Sequence, residues 1–467
     1  LWDPGVGLGG VTHQVVGYLW PMGPFYWFFD AIGVPDWLAQ RFWLASLLFA
    51  AGAGVLYLLR TLGWPDRAAP GEDGEVVTPT VSPTWWDAGM VVAALAYALS
   101  PYVLDYAARI SVILLPWAGL PWLIAFLARA MRVGGWRYPA AFALVTLTIS
   151  STNLTSVVLV GIGPILWVVF AIWVERETPW RQAIGAVWRT GVLTGGVSLW
   201  WFVGLVVEGR YGIPIVRYTE TYQAVAVAST TPEVVRGLGY WFFYGNDKLG
   251  QWIVPSIHYM RYGIPISFAL PVFAFLSAAL TRFRYRLFFV TLIVVAALVA
   301  VGGHPYDDPS AVGGILVAWT KTDLGLAFRS TARVLPLLIL GTSVLLGVGV
   351  VALGRRLPRF SRPIAVIAVV LVIANLPATW VGQMVDRNLR RDEDLPGYWE
   401  DAAEFIDGRG DDTRVLELPG TDFAAYRWGN TVDPITPGLI DRPHVARELS
   451  PLGTPVSANL VNAIDRP

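Results

Sequence analysis

A polar stretch from Glu208 to Gly263 carries the carboxylate that is best placed for chemistry. Glu220 lies there between two threonines, and Arg217 precedes it by three residues. A carboxylate in such a loop could act as a general base toward a sugar hydroxyl, because it can accept the proton that the hydroxyl loses on attack. A structural salt bridge between Glu220 and Arg217 is the alternative.

Three cations could hold the phosphate of a lipid-linked substrate near this carboxylate. Arg217 and Lys248 both belong to the same stretch, and Arg109 lies at another corner of the chain, beside Asp105. Guanidinium and ammonium groups make strong, charge-assisted hydrogen bonds to phosphate oxygens. Each cation could instead be a solvated loop charge or one half of a surface ion pair.

The segment Leu1–Trp43 is rich in Trp, Phe, Tyr, Gly and Pro and could line a groove. Its prolines disfavour the helical conformation in the residues before them, so an uninterrupted helix is not expected. Segments of this kind can lie flat in the membrane interface, where a lipid carrier could rest beside a water-exposed site. A packed re-entrant loop without any ligand is the alternative. The candidate groove residues are His13, Gln14, Tyr18, Trp20 and Phe25.

Other kinds of site are excluded or unsupported by the sequence. The chain has no cysteine, so disulfides, Cys-ligated zinc and Cys nucleophiles are excluded. It has neither a GxxxxGK[ST] loop nor an HExxH motif, and its four histidines are scattered, so no metal site is predicted. The net charge is zero, which gives no field that would favour nucleic acid. Acidic residues are nearly missing from the apolar stretches, which argues against an ion-coupled transporter.

Membrane helices must position these candidate residues. Only 15% of the residues are charged, 55% are hydrophobic, and the mean hydropathy is +0.53. About ten apolar stretches approach the roughly 20 residues that a helix needs to cross a bilayer. The predicted spans are Phe42–Leu59, Trp86–Leu104, Ser111–Ala130, Ala140–Thr152, Leu154–Val174, Val187–Val207, Ile264–Leu280, Leu287–Gly302, Arg333–Leu353 and Pro363–Trp380. The sequence therefore predicts an all-α polytopic membrane protein.

Arginines at alternate corners between the spans predict the orientation. The positive-inside rule makes these corners cytoplasmic. The opposite, extracytoplasmic side then carries the N-terminal aromatic segment, the stretch Glu208–Gly263, the loop Gly303–Thr331 and the tail from Gln383. The corner arginines are Arg60, Arg67, Arg129, Arg132, Arg137, Arg176, Arg181, Arg189, Arg282, Arg284, Arg286, Arg355, Arg356, Arg359 and Arg362.

The pattern divides the chain into three regions. Residues 1–41 form an extracytoplasmic aromatic loop, residues 42–381 form the bundle, and residues 382–467 start a soluble external domain of mixed α/β type. In the tail, Tyr398–Ile406 has helical apolar spacing, and Arg414–Leu418 alternates like a strand. The chain begins at Leu1 and ends at Pro467 in mid-pattern, so we expect it to be a fragment of a larger protein.

Several segments resemble a known family, the mycobacterial arabinofuranosyltransferase D family. Arg109–Trp122 is the most specific of them, and the similarity extends along essentially the whole chain, which would form the N-terminal third or so of a family member. The other similar segments are Tyr18–Phe25, Tyr218–Thr221, Tyr426–Gly429 and Pro451–Gly453.

The resemblance implies a GT-C-type glycosyltransferase in the plasma membrane, with its active site on the extracytoplasmic face. The donor would be decaprenyl-phosphoryl arabinose, and the acceptor would be a cell-wall arabinan, as in arabinogalactan or lipoarabinomannan. The family's catalytic aspartate would follow a first membrane helix upstream of Leu1. Asp3, the nearest acidic residue after it, is the second catalytic candidate within this chain, beside Glu220. The expected partners are therefore the bilayer, a polyprenyl-phosphate sugar and a polysaccharide, and a divalent metal requirement stays open.

One departure from the family pattern and two rival functions remain. The segment Phe328–Arg333 lacks a Lys-Phe-Asp element of the family, which leaves the acceptor open. A lipid-linked sugar flippase and a non-catalytic scaffold for wall assembly are the rival functions. Large outer loops and a soluble tail favour the enzyme, whereas an inverted structural repeat would favour a transporter.

Overall fold

A computed structural model describes most of the chain, and it is almost entirely helical. The described residues are 2–5, 7–11, 15–64, 87–108, 110–212, 214–217, 219–246, 250–378, 382, 384, 395–410, 413–418, 426–429, 431, 434–446 and 455–465. The helices in this part of the chain are α1 (Val15–Tyr18), α2 (Met22–Ala31), α3 (Asp36–Leu62), α4 (Ala88–Ala98), α5 (Tyr102–Ala107), α6 (Leu114–Val133), α7 (Arg137–Ser150), α8 (Leu154–Val169), α9 (Trp180–Tyr211), α10 (Tyr222–Ala228), α11 (Thr231–Val235), α12 (Ser256–Met260), α13 (Ile264–Leu280), α14 (Arg286–Val301), α15 (Ala311–Trp319), α16 (Asp323–Ala327), α17 (Leu335–Arg356), α18 (Ser361–Ala374), α19 (Gly397–Asp407) and α20 (Pro455–Asp465).

Six helical segments among the described residues are long and apolar enough to cross a membrane. They are Asp36–Leu62, Ala88–Ala107, Ser111–Val133, Leu154–Val174, Trp180–Tyr211 and Thr331–Arg356. The shorter helices α7, α13, α14 and α18 lie at the other four predicted spans. Each predicted span thus overlaps at least one helix in the described part of the chain, and the prediction of an all-α polytopic membrane protein is confirmed.

The second predicted span, Trp86–Leu104, is not one continuous helix. Helix α4 ends at Ala98, and α5 begins at Tyr102, directly after Pro101. Proline has no backbone N–H to continue a helix, but its fixed φ suits the start of the next one. The break matters because α5 carries Asp105 into the outer end of the bundle.

Helix α17 lies at the centre of the bundle and packs against α4, α13, α14 and α18. Its contact with α4 depends on two glycines. A Cβ added to Gly347 would lie 2.4 Å from the carbonyl oxygen of Gly89, and one added to Gly89 would lie 2.7 Å from that of Gly347. Small residues allow membrane helices to approach this closely, so they gain dispersion contacts that lipid cannot replace.

Arginines from separate predicted cytoplasmic corners meet at one end of the bundle, which we call the arginine-rich end. Arg132 at the end of α6 forms an ion pair of 3.1 Å with Glu177, and Arg284 before α14 forms one of 2.7 Å with Glu175. Arg132 also donates a hydrogen bond of 3.0 Å to the hydroxyl of Tyr285. These contacts join the corners after α6, α8 and α13 on one side. We call the opposite side the outer end.

The described part of the tail has the predicted helix, and a strand that is shorter than predicted. Helix α19 (Gly397–Asp407) matches the predicted helical segment, and strand β3 (Val415–Leu416) pairs in parallel with β4 (His444–Val445). Near the start of the chain, β1 (Trp2–Asp3) and β2 (Gly10–Val11) form a small antiparallel pair, and the loop that connects them docks on the tail. The N–H of Gly7 donates to the carbonyl of His444 over 2.9 Å. The tail therefore packs with residues near the chain start.

The orientation of the bundle can be tested by cysteine labelling, since the chain has no thiols of its own. We expect an impermeant maleimide to label Tyr262→Cys from outside and to leave Arg359→Cys unlabelled until the membrane is opened. Tyr262 is 76% exposed at the outer end, whereas a side chain at nearby Gly245 would collide with the ring of Trp252. The reverse labelling pattern would invert the topology.

Candidate active site at the outer end

Local structure holds Glu220 at the start of a short helix. A 3-10 turn over Ile215–Arg217 precedes it, and Thr221 follows it as the N-cap of α10. The Thr221 hydroxyl accepts a hydrogen bond of 3.2 Å from the N–H of Ala224, which fixes where the helix begins. The backbone of Glu220 is thereby held between two ordered turns.

The carboxylate of Glu220 contacts the segment that leads into α17. Its Oε1 accepts a hydrogen bond of 2.9 Å from the Ser330 hydroxyl and lies 3.4 Å from Nη2 of Arg329. The side chains of Arg329 and Glu220 are only 9% and 13% exposed. Among the described residues, the hydrogen bonds and ion pair of this carboxylate all use Oε1. Oε2 is therefore the oxygen that could receive a proton.

Arg329 also holds the backbone on which Glu220 lies. Its Nε donates to the carbonyl oxygen of Glu220 over 2.7 Å, and its guanidinium reaches the Thr219 hydroxyl and the carbonyl of Leu326. Burial lowers the pKa of Arg329, and the Glu220 carboxylate opposes this shift. Since the ordinary pKa of arginine is above about 12, the group stays a cation at neutral pH.

A second arginine, Arg333, lies close to the same site. Its Nη1 donates to Oδ1 of Asn153 over 3.3 Å, and its Nε is buried without a hydrogen-bond partner among the described residues. Burial raises the pKa of Tyr240. The positive charge of Arg333 lowers this pKa and the negative charge of Glu220 raises it, so the Tyr240 phenol lies within electrostatic reach of Arg333 and Glu220. The site thus combines one carboxylate, two guanidiniums and a phenol that stays protonated.

A buried polar cluster adjoins this site through two tyrosines whose rings are tilted against each other. The rings of Tyr106 and Tyr240 are 4.8 Å apart. Asp105 is 3% exposed, and neither of its oxygens has a hydrogen-bond partner within the part of the chain that the structure describes. Nearby, Glu233 pairs with the buried Arg236, which also donates to the carbonyl of Tyr259 over 2.9 Å.

The structure does not bring Arg217 to the Glu220 carboxylate. Arg217 instead forms an ion pair of 2.8 Å with Asp323, and the two side chains are 62% and 84% exposed. Asp3 accepts a hydrogen bond of 2.8 Å from the N–H of Gly5, within the turn that joins β1 to β2. The roles proposed for Arg217 and Asp3 stay predictions, and neither residue is described as part of the Glu220 cluster.

The described part of the aromatic segment lies on the outer side of the bundle. Tyr18 and Trp20 are 38% and 39% exposed, and the Ser151 hydroxyl bonds to the carbonyl of Trp20 over 2.7 Å. Phe25 lies in α2 with its ring 5.1 Å from that of Trp43. A groove role for Tyr18, Trp20 and Phe25 stays a prediction. The other predicted ligands, His13, Gln14, Arg109 and Lys248, lie outside the described residues.

Sequence reasoning missed Arg329 and Arg333 as members of the site. A usable signal was present, because both lie at a corner that the positive-inside rule assigns to the outside, where arginine is disfavoured. The described residues also contain no group of three or more His, Asp or Glu side chains that could hold a metal ion.

The chain is similar to known proteins along nearly its whole length. The family described as "Alpha-(1->3)-arabinofuranosyltransferase, N-terminal GT-C domain" matches residues 1–71 and 82–467. A curated protein of that enzyme name from Mycolicibacterium smegmatis is 26% identical, and one from Mycobacterium tuberculosis is 27% identical. Each covers the entire chain, but the chain spans only 32% and 33% of their lengths.

A solved structure supports the same fold. The single-particle cryo-EM structure of arabinofuranosyltransferase AftD from Mycobacteria superposes with a TM-score of 0.68 at 22% identity. The match covers all of this chain and 30% of that one. At this identity the superposition establishes the fold, which agrees with the predicted GT-C-like bundle.

Proposed function

Because the chain belongs to the family of the alpha-(1->3)-arabinofuranosyltransferase N-terminal GT-C domain, we propose that it forms the membrane-embedded part of a glycosyltransferase. The enzyme transfers arabinofuranose from a polyprenyl-phosphate donor, decaprenyl-phosphoryl arabinose, to a cell-wall arabinan. The reaction takes place at the outer end of the bundle, on the extracytoplasmic face of the plasma membrane. The chain spans about a third of its curated relatives, and the rest of the protein can supply further acceptor contacts.

The observation that carries this proposal is the buried pairing of Glu220 with Arg329 and Ser330 at the outer end. The Glu220 carboxylate is held through one oxygen and has cations beside it. This arrangement supplies a general base for the acceptor and positive charge for the leaving phosphate. The base must be oriented toward the acceptor, and the leaving phosphate must meet positive charge. The exposed Arg217–Asp323 pair offers neither burial nor a fixed carboxylate.

The chemical step follows from these groups. Oε2 of Glu220 takes the proton from an acceptor hydroxyl, whose oxygen attacks the anomeric carbon of the arabinose. The bond between that carbon and the phosphate oxygen breaks, and prenyl phosphate leaves with the electron pair. Arg333, whose buried Nε has no described partner, stabilises the charge that develops on the phosphate. A phosphate leaving group needs little acid catalysis, so no further acid is required.

The prenyl chain of the donor fits the aromatic segment at the membrane interface. Helix α2 exposes Trp27 and Phe28, which are 71% and 53% accessible, on the outer side of the bundle. Aromatic side chains are favoured at this depth, where one edge meets lipid and the other meets water. Tyr18, Trp20 and Phe25 can therefore hold the lipid, while the phosphate reaches the arginines.

A reconstitution assay separates the enzyme from its rivals. We expect the purified full-length protein in proteoliposomes to transfer radiolabelled arabinose from decaprenyl-phosphoryl arabinose to an arabinan acceptor. A flippase would instead move the intact donor across the bilayer without releasing decaprenyl phosphate, and a scaffold would do neither. Labelled donor that changes leaflet but is never cleaved would overturn the proposal.

A further inference from the structure

A cavity of about 450 Å³ opens at the arginine-rich end, far along α17 from the Glu220 cluster. It lies between the end of α3, the corner from α13 to α14 and the last turns of α17. Its lining combines cationic, hydroxyl and aromatic side chains: Trp64, Thr281, Arg282, Phe283, Arg355 and Arg356. The positive-inside rule alone explains arginines at this end, but it does not explain why three of them line one cavity.

The acidic side chains described nearby are engaged outside this cavity. Asp87 caps the start of α4 by accepting from the N–H of Gly89 over 2.8 Å, and it accepts from the indole of Trp64 over 3.3 Å. Glu175 and Glu177 bind Arg284 over 2.7 and 3.3 Å. None of these carboxylates lines the cavity. The described lining thus contains three guanidinium groups and no carboxylate, a composition that suits an anionic ligand.

The rest of the lining indicates that this anion carries acyl chains. One side of the cavity is apolar and continues along the membrane-spanning part of α17 through Val348 and Val351. A small soluble anion would gain nothing from that side, whereas a phospholipid has both a phosphate and chains. Basic pockets between membrane helices on the cytoplasmic side bind anionic lipid head groups. The volume is also within the range of about 300–1,000 Å³ that ligand pockets occupy.

We propose that this cavity binds the head group of an anionic phospholipid in the leaflet at the arginine-rich end. Arg282, Arg355 and Arg356 hold the phosphate, and the indole of Trp64 packs beside the glycerol region. The site is independent of the donor and acceptor sites, because it lies at the opposite end of the bundle from Glu220.

Native mass spectrometry of the full-length protein in detergent tests this site with phosphatidylglycerol as the probe. The test variant combines Arg282→Gln, Arg355→Gln and Arg356→Gln. The control combines Arg181→Gln, Arg359→Gln and Arg362→Gln, which removes the same charge from exposed positions outside the cavity. We expect the test variant to bind the lipid at least about tenfold more weakly, and the control to stay within about twofold of the unmodified protein.

Three results would contradict the proposal. The first is an equal loss of phosphatidylglycerol binding in the test and control variants, and the second is unchanged phosphatidylglycerol binding in the test variant. The third is that soluble glycerol phosphate or zwitterionic phosphatidylcholine binds the unmodified protein as tightly as phosphatidylglycerol does. If the triple variant does not fold, the single variant Arg282→Gln replaces it as the test variant. It should weaken phosphatidylglycerol binding severalfold, and unchanged binding by this folded variant would also overturn the assignment.

Discussion

Glu220→Gln should lower the rate of arabinosyl transfer by about 10²–10⁴, the usual effect of removing a general base. The amide keeps the shape of the side chain and can still accept from the Ser330 hydroxyl at 2.9 Å. It has no negative charge and no basic oxygen, so it cannot take the acceptor proton. The measurement is single-turnover transfer from decaprenyl-phosphoryl arabinose in the full-length protein, with donor binding measured separately.

Asp323→Asn is the matched control for this substitution. Asp323 is also an outer acid in an ion pair with an arginine, but its side chain is 84% exposed. Exposed pairs contribute roughly 0–1 kcal/mol, so we expect both stability and transfer to stay close to those of the unmodified protein. Donor affinity should stay nearly unchanged in Glu220→Gln, which would separate a chemical defect from a binding defect.

Near-normal transfer by Glu220→Gln would remove Glu220 as the base. The aspartate that the family resemblance places upstream of Leu1 would then be the remaining candidate. Asp3→Asn tests whether Asp3, the acid of this chain nearest to that upstream aspartate, takes part in transfer. Loss of transfer in Asp3→Asn would assign the catalytic role to Asp3, whose carboxylate accepts a hydrogen bond from the N–H of Gly5 within its own turn, and near-normal transfer would exclude it.

The membrane helices could be predicted from the sequence because lipid imposes a simple rule on length and polarity. A segment that crosses a bilayer must satisfy its backbone internally and must be apolar over about 20 residues. This rule located all six of the described helical segments that are long and apolar enough to cross a membrane, including the one that contains α17, which is mostly buried in the bundle. The break at Pro101 was missed because α4 and α5 together still have the length and hydropathy of one span.

The partner of Glu220 could not be predicted in the same way. Arg217 is close in sequence, yet Arg329, which lies 109 residues away from Glu220, makes the contact. Local spacing says which residues can share a helix face, but it does not say which loops meet after the helices pack. The pairing arises because α10 and the segment before α17 are brought together at one end of the bundle. Only the charge of Arg329 at an outer corner could have suggested it.

Arg329→Met should destabilise the folded protein by about 3–5 kcal/mol, the usual effect of breaking a buried ion pair. The change leaves the Glu220 carboxylate without its cation and removes the donors to the carbonyls of Glu220 and Leu326. We expect a lower melting temperature in detergent and a loss of transfer, because the loop that positions Glu220 is released. Arg329→Lys should recover only part of the stability, since an ammonium cannot match the geometry of the guanidinium.

The double variant Glu220→Gln with Arg329→Met separates the charge from the hydrogen bonds. Removing both members of a buried pair is less harmful than removing one, because no unpaired charge is left behind. We therefore expect the double variant to melt at a higher temperature than Arg329→Met alone, while transfer stays as low as in Glu220→Gln. If the two melt alike, the stabilisation by Arg329 comes from its bonds to backbone carbonyls and not from its pairing with the Glu220 carboxylate.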